Sequence, residues 1–361
     1  MEPRPIRQVT FAGSHFERGL ERGRRLRVTL RVPDVSTVPG GFVEACRAAA
    51  AEVHPPAIEE FEGLVEGGGF DRDAMAAHYF ARLESRLGGC TMFAVMPEGR
   101  DRRRGPIIGR NYDWAAADLR WCELQRYLPD RGLRRIGYTH HWAGCPDVLN
   151  ERGLYVAIAS LPPEPVVRPG VQWSILVEAV SEQCATVRDA VGLLGSVTHL
   201  RPMSYRLADA SGDAAVVEAT PRGVCLRQPK GGLVLAANAP LGGEPLPPPE
   251  LAGAALAQPL GPEPSADAGR ARARSARRVE RARRMLLDAW PRVSEDTVRA
   301  VLRDHEAPIC TGDHARDDGA PWATIWSGIC EPAAGRFVIA PGLPCRQEYQ
   351  EFSMAVSPGP S

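Results

Sequence analysis

The sequence predicts a layered protein in which helices cover largely antiparallel sheets. Short apolar runs of strand character follow one another in pairs, and helical segments lie between the pairs, which is typical of layered folds. Hydrophobic residues make up 44% and charged residues 24% of the 361-residue chain, a balance that excludes disorder as the main state. A chain of this length forms one large domain or a few smaller ones, and strands on both sides of residues 240–270 indicate one sheet system.

The first quarter of the chain is predicted to be mostly helical. Residues 5–15 read as a strand and a turn, and helical character follows over residues 15–30. Gly19 and Gly23 lie four residues apart on one face of this helix, which indicates close packing against another element. Helical segments then cover residues 43–86, with breaks at a proline pair and at a run of glycines.

From Cys90 onward, strand-like segments dominate. Residues 90–95 and 106–114 read as two strands joined by a charged turn, which predicts a hairpin. Residues 240–270 are rich in Pro, Ala and Gly and are interpreted as a long surface loop. Further strands are predicted at 153–160, 204–209, 214–219, 223–228, 233–237, 323–331 and 336–340. Further helices are predicted at 172–179, 186–194, 271–287 and 295–304.

Charge and targeting patterns exclude several classes of function. Lys and Arg total 44, as do Asp and Glu, so nothing in the net charge indicates binding to nucleic acid or to an anionic membrane. The amino-terminal residues lack the apolar core of a secretion signal, and no apolar run approaches transmembrane length. We therefore expect a cytoplasmic protein.

The nine cysteines are widely spaced and include no C-x-x-C pair, which argues against a disulfide framework or a structural zinc site. His305, Cys310 and His314 lie close together in the sequence, but their spacing matches no standard metal site. Structural roles are favoured for them, and no metal or other cofactor is expected.

Cys90 differs from the other cysteines because it follows two glycines and opens a predicted strand. Glycine leaves the Gly89 carbonyl unshielded, so the thiol can attack it in an N-to-S acyl shift, and hydrolysis would make Cys90 a new amino terminus. A free α-amine has a pKa of roughly 7.7 to 8.0, so it can accept the thiol proton and place nucleophile and base on one residue. The local sequence also fits a turn followed by an ordinary buried cysteine.

A series of short motifs resembles one enzyme family in order and spacing. The motifs are AGSHFERG at 12–19, CT at 90–91, GRNYDW at 109–114, NERGL at 150–154, DASGD at 209–213, SARR at 275–278, TIWS at 324–327 and PGLP at 341–344. Together they resemble the cysteine N-terminal nucleophile (Ntn) hydrolases, in the branch of acyl-CoA:isopenicillin N acyltransferase (peptidase family C45), which is related to choloylglycine hydrolases. The resemblance runs from about residue 8 to 345. It implies an α+β fold, a four-layer αββα sandwich, and self-cleavage into an α-chain (1–89) and a catalytic β-chain (90–361) with one shared core.

The resemblance implies that Cys90 carries an acyl group as a thioester. The family's arginine and aspartate that match Arg110 and Asp113 lie against the N-terminal cysteine. A guanidinium there lowers the thiol pKa, and a carboxylate holds the amine. Taken without the resemblance, this pair reads as a surface ion pair.

Asn150 and Asn238 match the family's oxyanion donors, and taken alone each reads as a turn residue. Ala237 replaces the usual threonine before Asn238, so a backbone N–H near Cys90 is the alternative second donor. His140 and His141 lie between Cys90 and Asn150 in papain order, but the spacing is too short for a papain-like enzyme.

Ser275 and Arg278 match a Ser-x-x-Arg motif whose arginine would bind a substrate carboxylate or hold the site. Because residues 270–284 contain eight arginines, each of these also fits a solvated helix face.

The resemblance implies acyl transfer from a small-molecule donor, an acyl-CoA or an amide, to an amine acceptor, in bacterial secondary metabolism. Two alternatives stay open: an amidohydrolase that cleaves linear amides or N-acyl amino compounds, and an unprocessed, non-catalytic binding protein.

Overall fold

The computed structural model describes residues 5–27, 38–83, 89–99, 105–140, 144–163, 167–241, 267–312 and 322–355. The strands are β1 (Gln8–Gly13), β2 (Thr91–Val95), β3 (Ile107–Ala115), β4 (Glu123–Pro129), β5 (Arg135–Thr139), β6 (Asp147–Asn150), β7 (Tyr155–Ser160), β8 (Met203–Ala208), β9 (Ala214–Thr220), β10 (Gly223–Arg227), β11 (Leu233–Ala236), β12 (Trp322–Glu331), β13 (Arg336–Ala340) and β14 (Gln350–Ser353). The helices are α1 (His15–Leu26), α2 (Gly40–Val53), α3 (Pro56–Gly68), α4 (Arg72–Phe80), α5 (Trp173–Gln183), α6 (Val187–Gly195), α7 (Asp267–Asp288) and α8 (Glu295–Leu302).

These strands form two sheets that pack face to face. The first sheet has the order β1-β4-β5-β6-β7-β8-β9-β10, and the second has the order β11-β2-β3-β12-β13-β14. All neighbouring strands are antiparallel except β1 and β4.

Three apolar cores separate four layers. Helices α1–α6 pack on the outer face of the first sheet, the inner faces of the two sheets enclose the middle core, and α7 and α8 cover the second sheet. The predicted α+β fold, a four-layer αββα sandwich with largely antiparallel sheets, is confirmed. No helix among the described residues combines the length and apolar character needed to cross a bilayer.

The predicted close approach at Gly19 and Gly23 is confirmed, and α3 is the partner. A Cβ on Gly19 would lie 2.1 Å from the Glu60 carbonyl oxygen, and one on Gly23 would lie 2.3 Å from that of Leu64. Only glycine allows the two helix backbones to approach so closely. The predicted turn leads into α1 at Ser14, which caps the helix by forming a capping box with Glu17.

Two sequence predictions need correction. Helix α7 begins at Asp267, so the predicted loop 240–270 ends too late, and residues 242–266 of that loop lie outside the described residues.

The sequence also does not predict strands β4, β5, β6 and β14. The outward face of β4 and β5 buries polar and charged side chains such as Glu123, Gln125 and Arg135, which conceals the apolar alternation on which strand prediction depends.

Candidate functional site

Cys90 lies in the middle core, immediately before β2, with only 3% of its surface exposed. The antiparallel hairpin of β2 and β3 pairs Met92 with Arg110, so β3 returns beside the cysteine. The Arg110 Nη2 atom lies 3.8 Å from Cys90 Sγ. Burial raises the pKa of the Cys90 thiol, while the positive charge of Arg110 acts in the opposite direction. The thiol is therefore protonated at rest and lies next to a cation that would stabilise its thiolate.

Arg110 is fixed by acceptors on the first sheet. Its guanidinium donates to the carbonyl oxygens of Pro146 (2.9 Å) and Ile158 (2.7 Å) and to the carboxylate of Asp147. Asp147 in turn accepts hydrogen bonds from the Tyr155 hydroxyl (3.0 Å) and from the Trp326 indole N–H on β12. These contacts hold the guanidinium in one orientation against the cysteine.

The partner of Arg110, Asp147, was missed at the sequence level. It accepts a hydrogen bond of 2.6 Å from Trp326 Nε1 on the second sheet, so one carboxylate links the two sheets behind Arg110. Its only sequence signal is a charged residue at the start of a short apolar strand before the Asn-Glu-Arg-Gly-Leu motif.

Asp113 lies against the Gly89–Cys90 junction. A Cβ built on Gly89 would lie 2.4 Å from Asp113 Oδ2, so only a glycine fits beside this carboxylate. Thr311 Oγ1 and Thr324 Oγ1 each donate to it at 2.7 Å. Burial raises the pKa of Asp113 to about 6, against the opposing charge of Arg278 and the two threonine hydrogen bonds. The carboxyl group can therefore exchange a proton near neutral pH.

The raised pKa of Asp113 predicts a pH-dependent stability. Folded Asp113 holds its proton up to about pH 6, whereas an unfolded aspartate loses it near pH 4. Between these values the native state binds more protons, so stability falls as the pH rises, by about 3 kcal/mol for this group. Urea unfolding of Cys90→Ala and Cys90→Ala/Asp113→Asn at pH 4 and pH 7 should show the double variant gaining stability relative to the single variant at the higher pH. An unchanged difference would mean that Asp113 is not the buried titrating group.

Arg278 and Asn238 complete the surroundings of Cys90. Arg278 Nη2 donates to the Cys90 carbonyl oxygen at 3.4 Å and to Asn238 Oδ1 at 3.3 Å. The Asn238 Nδ2 atom donates to the Ser160 carbonyl oxygen at 3.0 Å. Arg278 is 5% exposed, so it points into the protein and does not belong to a solvated helix face. Of the predicted residues, Arg110, Asp113 and Arg278 therefore lie against the Gly89–Cys90 junction, and Asn238 is linked to it through Arg278.

Asn150 is not brought to Cys90. Its side-chain nitrogen donates to the carbonyl oxygens of Ser181 and Cys184 in and after α5, and its side-chain oxygen accepts from the amides of Arg152 and Leu154. These contacts lie on the helix-covered face of the first sheet, whereas Cys90 lies in the core between the sheets. This position fits the turn role that the sequence left open.

Ser275 and His140 also make no described contact with the Cys90 thiol. Ser275 is buried one turn before Arg278, and its hydroxyl has no hydrogen-bond partner among the described residues. The His140 ring packs against Tyr112 and Trp326, with ring centroids 5.4 and 5.8 Å away, and burial lowers its pKa to about 3. His141 lies outside the described residues.

A buried ion network joins the segment before Cys90 to the rest of the fold. Arg18 Nη1 lies 3.1 Å from Glu182 Oε1, Arg135 Nη1 lies 2.7 Å from the same oxygen, and Arg22 Nη1 lies 2.9 Å from Glu60 Oε1. Although burial acts to raise it, nearby positive charges, of Arg135 above all, hold the pKa of Glu182 far below its usual range. Nothing in the sequence reveals this network, because its members are scattered over three segments of the chain.

A comparison with models of known protein families gives one match. The family described as acyl-coenzyme A:6-aminopenicillanic acid acyl-transferase matches residues 100–344, which include Arg110, Asp113, Asn238 and Arg278 but begin after Cys90. No curated protein matches the chain in sequence.

Three solved structures are similar in fold. Penicillin V acylase from Agrobacterium tumefaciens is 16% identical, with a TM-score of 0.47 over 73% of this chain and 86% of its own. A mutant of conjugated bile acid hydrolase from Clostridium perfringens is 12% identical, with a TM-score of 0.45 over 74% of this chain and 98% of its own. The N-acylethanolamine-hydrolyzing acid amidase ortholog of Caenorhabditis elegans is 13% identical, with a TM-score of 0.47 over 68% of this chain and 93% of its own.

Proposed function

Because the chain belongs to the acyl-coenzyme A:6-aminopenicillanic acid acyl-transferase family, and so to the acyltransferases and amidohydrolases, we propose that it is a self-processing acyltransferase with Cys90 as its nucleophile. The proposal includes an acyl thioester on Cys90, an amine acceptor, and a role in bacterial secondary metabolism in the cytoplasm. The observation that carries it is the position of the Cys90 thiol, 3.8 Å from the Arg110 guanidinium and beside a carboxylate that touches Gly89.

Self-cleavage begins when Cys90 Sγ attacks the Gly89 carbonyl carbon. The thiol proton passes to the Asp113 carboxylate, whose pKa near 6 suits a base and then an acid at neutral pH. When the Gly89–Cys90 C–N bond breaks, Asp113 returns the proton to the departing nitrogen, which becomes the α-amine of Cys90. A Gly89 thioester remains on Cys90, and water hydrolyses it to release the α-chain carboxylate and the free thiol.

Acyl transfer then uses the groups that cleavage uncovers. The new α-amine accepts the Cys90 thiol proton, Asp113 holds the resulting ammonium, and Arg110 stabilises the thiolate. The thiolate attacks the carbonyl of the acyl donor, and the donor's thiol or amine leaves with the proton from the ammonium. An amine acceptor next attacks the Cys90 thioester, forms an amide and returns the thiol.

The tetrahedral intermediate needs fixed N–H donors. Asn238 is the side-chain donor in this proposal, and its amide is kept in place by Arg278 and by the Ser160 carbonyl. Asn150 instead supports the turn that follows β6, the strand that bears Asp147. A backbone N–H near Cys90 is then the second donor.

The test of transfer is the fate of the acyl-enzyme. Purified protein is incubated with a mixture of acyl-CoA thioesters, with and without an added amine, and the products are quantified by mass spectrometry. A transferase should convert acyl groups to amide in proportion to the amine concentration. If the ratio of amide to hydrolysis product does not change with the amine concentration, the transferase proposal is contradicted and the amidohydrolase is supported.

The close contact between Gly89 and Asp113 predicts a specific sensitivity. Gly89→Ala places a methyl group 2.4 Å from Asp113 Oδ2, which is too close for contact. The carboxylate must then move by roughly 1 Å, and such misplacement slows a reaction by roughly 10²-fold. The rate of appearance of the cleaved fragments after translation measures this. Gly192→Ala is the matched control, because a Cβ at this position has no neighbouring atom within 4 Å. This variant should cleave at the wild-type rate. Equal rates in both variants would mean that Asp113 does not act at the junction.

A further inference from the structure

A second group of sulfur and nitrogen ligands lies outside the Cys90 site. Cys310 Sγ and Cys345 Sγ are 3.6 Å apart although 35 residues separate them. One imidazole nitrogen of His305 joins them, and the three ligand atoms all lie within 4.8 Å of one another. In the sequence, His305 and Cys310 lie near His314. In the structure, their third neighbour is instead Cys345. His314 lies outside the described residues.

The spacing of the two sulfur atoms fits a shared cation better than a disulfide. Two thiolates bound to tetrahedral zinc at about 2.3 Å are separated by about 3.8 Å, whereas a disulfide requires about 2.0 Å. Cys345 and His305 are exposed while Cys310 is buried, so an ion can reach the group from solvent and still be held from within.

We propose that Cys310, Cys345 and His305 form a zinc site, in which a solvent water completes the tetrahedron. Two thiolates and one imidazole are a ligand set that zinc prefers. On binding, the two thiols release their protons to solvent as Zn²⁺ takes their place. No electron transfer is involved.

The site would fix a segment that reaches the catalytic carboxylate. Cys310 donates its backbone N–H to the Asp304 carbonyl oxygen (2.9 Å), which closes the turn that brings His305 beside it. The next residue, Thr311, donates its hydroxyl to Asp113. Zinc would therefore tie this turn to the loop after β13 and hold Thr311 in place, which is a positioning role.

The experiment measures metal binding and not activity, so its outcome is independent of the proposed function. Full-length protein is freed of metal with a chelator, kept reduced, and titrated with Zn²⁺ against a chromophoric chelator. Wild type should bind one equivalent, and Co²⁺ in its place should give the thiolate charge-transfer and tetrahedral ligand-field absorption of a two-sulfur site. Cys310→Ser and Cys345→Ser should lose both signals. His305→Ala should weaken Zn²⁺ binding by at least the roughly 10- to 100-fold that loss of a metal's outer-shell partner costs.

Cys225→Ser is the matched control, because Cys225 is a free, partly exposed cysteine on β10, and it should bind Zn²⁺ as wild type does. Three results would overturn the proposal: no stoichiometric binding, equal binding in all the variants, or a Cys310–Cys345 disulfide in peptides of the unreduced protein.

His15, His54 and Glu182 form another three-ligand group, which faces a cavity of about 360 Å³. It is not proposed as a metal site. Two buried guanidinium groups, Arg18 and Arg135, already neutralise the Glu182 carboxylate and would repel a divalent ion.

Discussion

Cys90→Ala is expected to remain a single chain of 361 residues, whereas the wild type should separate on a denaturing gel into fragments of 89 and 272 residues. The variant has no thiol to attack the Gly89 carbonyl and no sulfur to carry an acyl group. Acyl transfer should fall by on the order of 10⁴-fold or more, because removing a nucleophile leaves only binding and oxyanion stabilisation.

The matched control is Cys225→Ala, which removes a cysteine that lies on β10, outside the middle core, and should process fully. Cleavage of Cys90→Ala after Gly89 would exclude the cysteine as the nucleophile. A single full-length band in the wild type would instead support the unprocessed binding protein.

Glu182→Ala is expected to lower the free energy of unfolding by about 3–5 kcal/mol. The Cys90→Ala background is used for this measurement, because the proposed cleavage cannot occur in it. Glu182 is paired with Arg18 from α1 and with Arg135 from β5, and both guanidinium groups are 1% exposed or less. Removing their shared carboxylate leaves two buried positive charges without this partner. Breaking a buried ion pair in this way lowers the free energy of unfolding by about 3–5 kcal/mol. Urea denaturation followed by circular dichroism measures the change.

Arg47→Ala provides the comparison, because Arg47 pairs with Glu44 on an exposed helix surface and such pairs contribute roughly 0–1 kcal/mol. If Glu182→Ala shifts the denaturation midpoint no more than Arg47→Ala does, the network does not hold the two segments together. If the chain is cleaved as proposed, the same substitution should weaken the association of the two fragments, since Arg18 lies before the proposed cleavage site and Arg135 after it.

The hairpin that brings Arg110 and Asp113 back beside Cys90 was predictable from the strand pattern, although the roles of the two residues came from the resemblance. The 20 and 23 residues from Cys90 to Arg110 and Asp113 are what two short antiparallel strands and a turn require, and the register of β2 on β3 confirms the hairpin. Arg278 was predictable only through the resemblance, because nothing local distinguishes it from the seven other arginines around it.

The residues that the sequence did not reveal act through distant contacts. Asp147 holds Arg110 from a strand of the other sheet, and Thr311 and Thr324 reach Asp113 from about 200 residues away. Sequence periodicity reports which face of an element is buried but not which partner it meets there. For the same reason Asn150 could be matched to a motif, yet the face of β6 that it occupies became clear only from the sheet.

The proposed chemistry depends on Cys90 becoming an amino-terminal nucleophile that carries an acyl group. Intact-mass and peptide mass spectrometry of the wild type, incubated with acyl-CoA thioesters, tests it most directly. We expect a 272-residue chain that begins at Cys90 and gains the mass of one acyl group on that residue. An uncleaved chain, or an acyl group found on a residue other than Cys90, would contradict it.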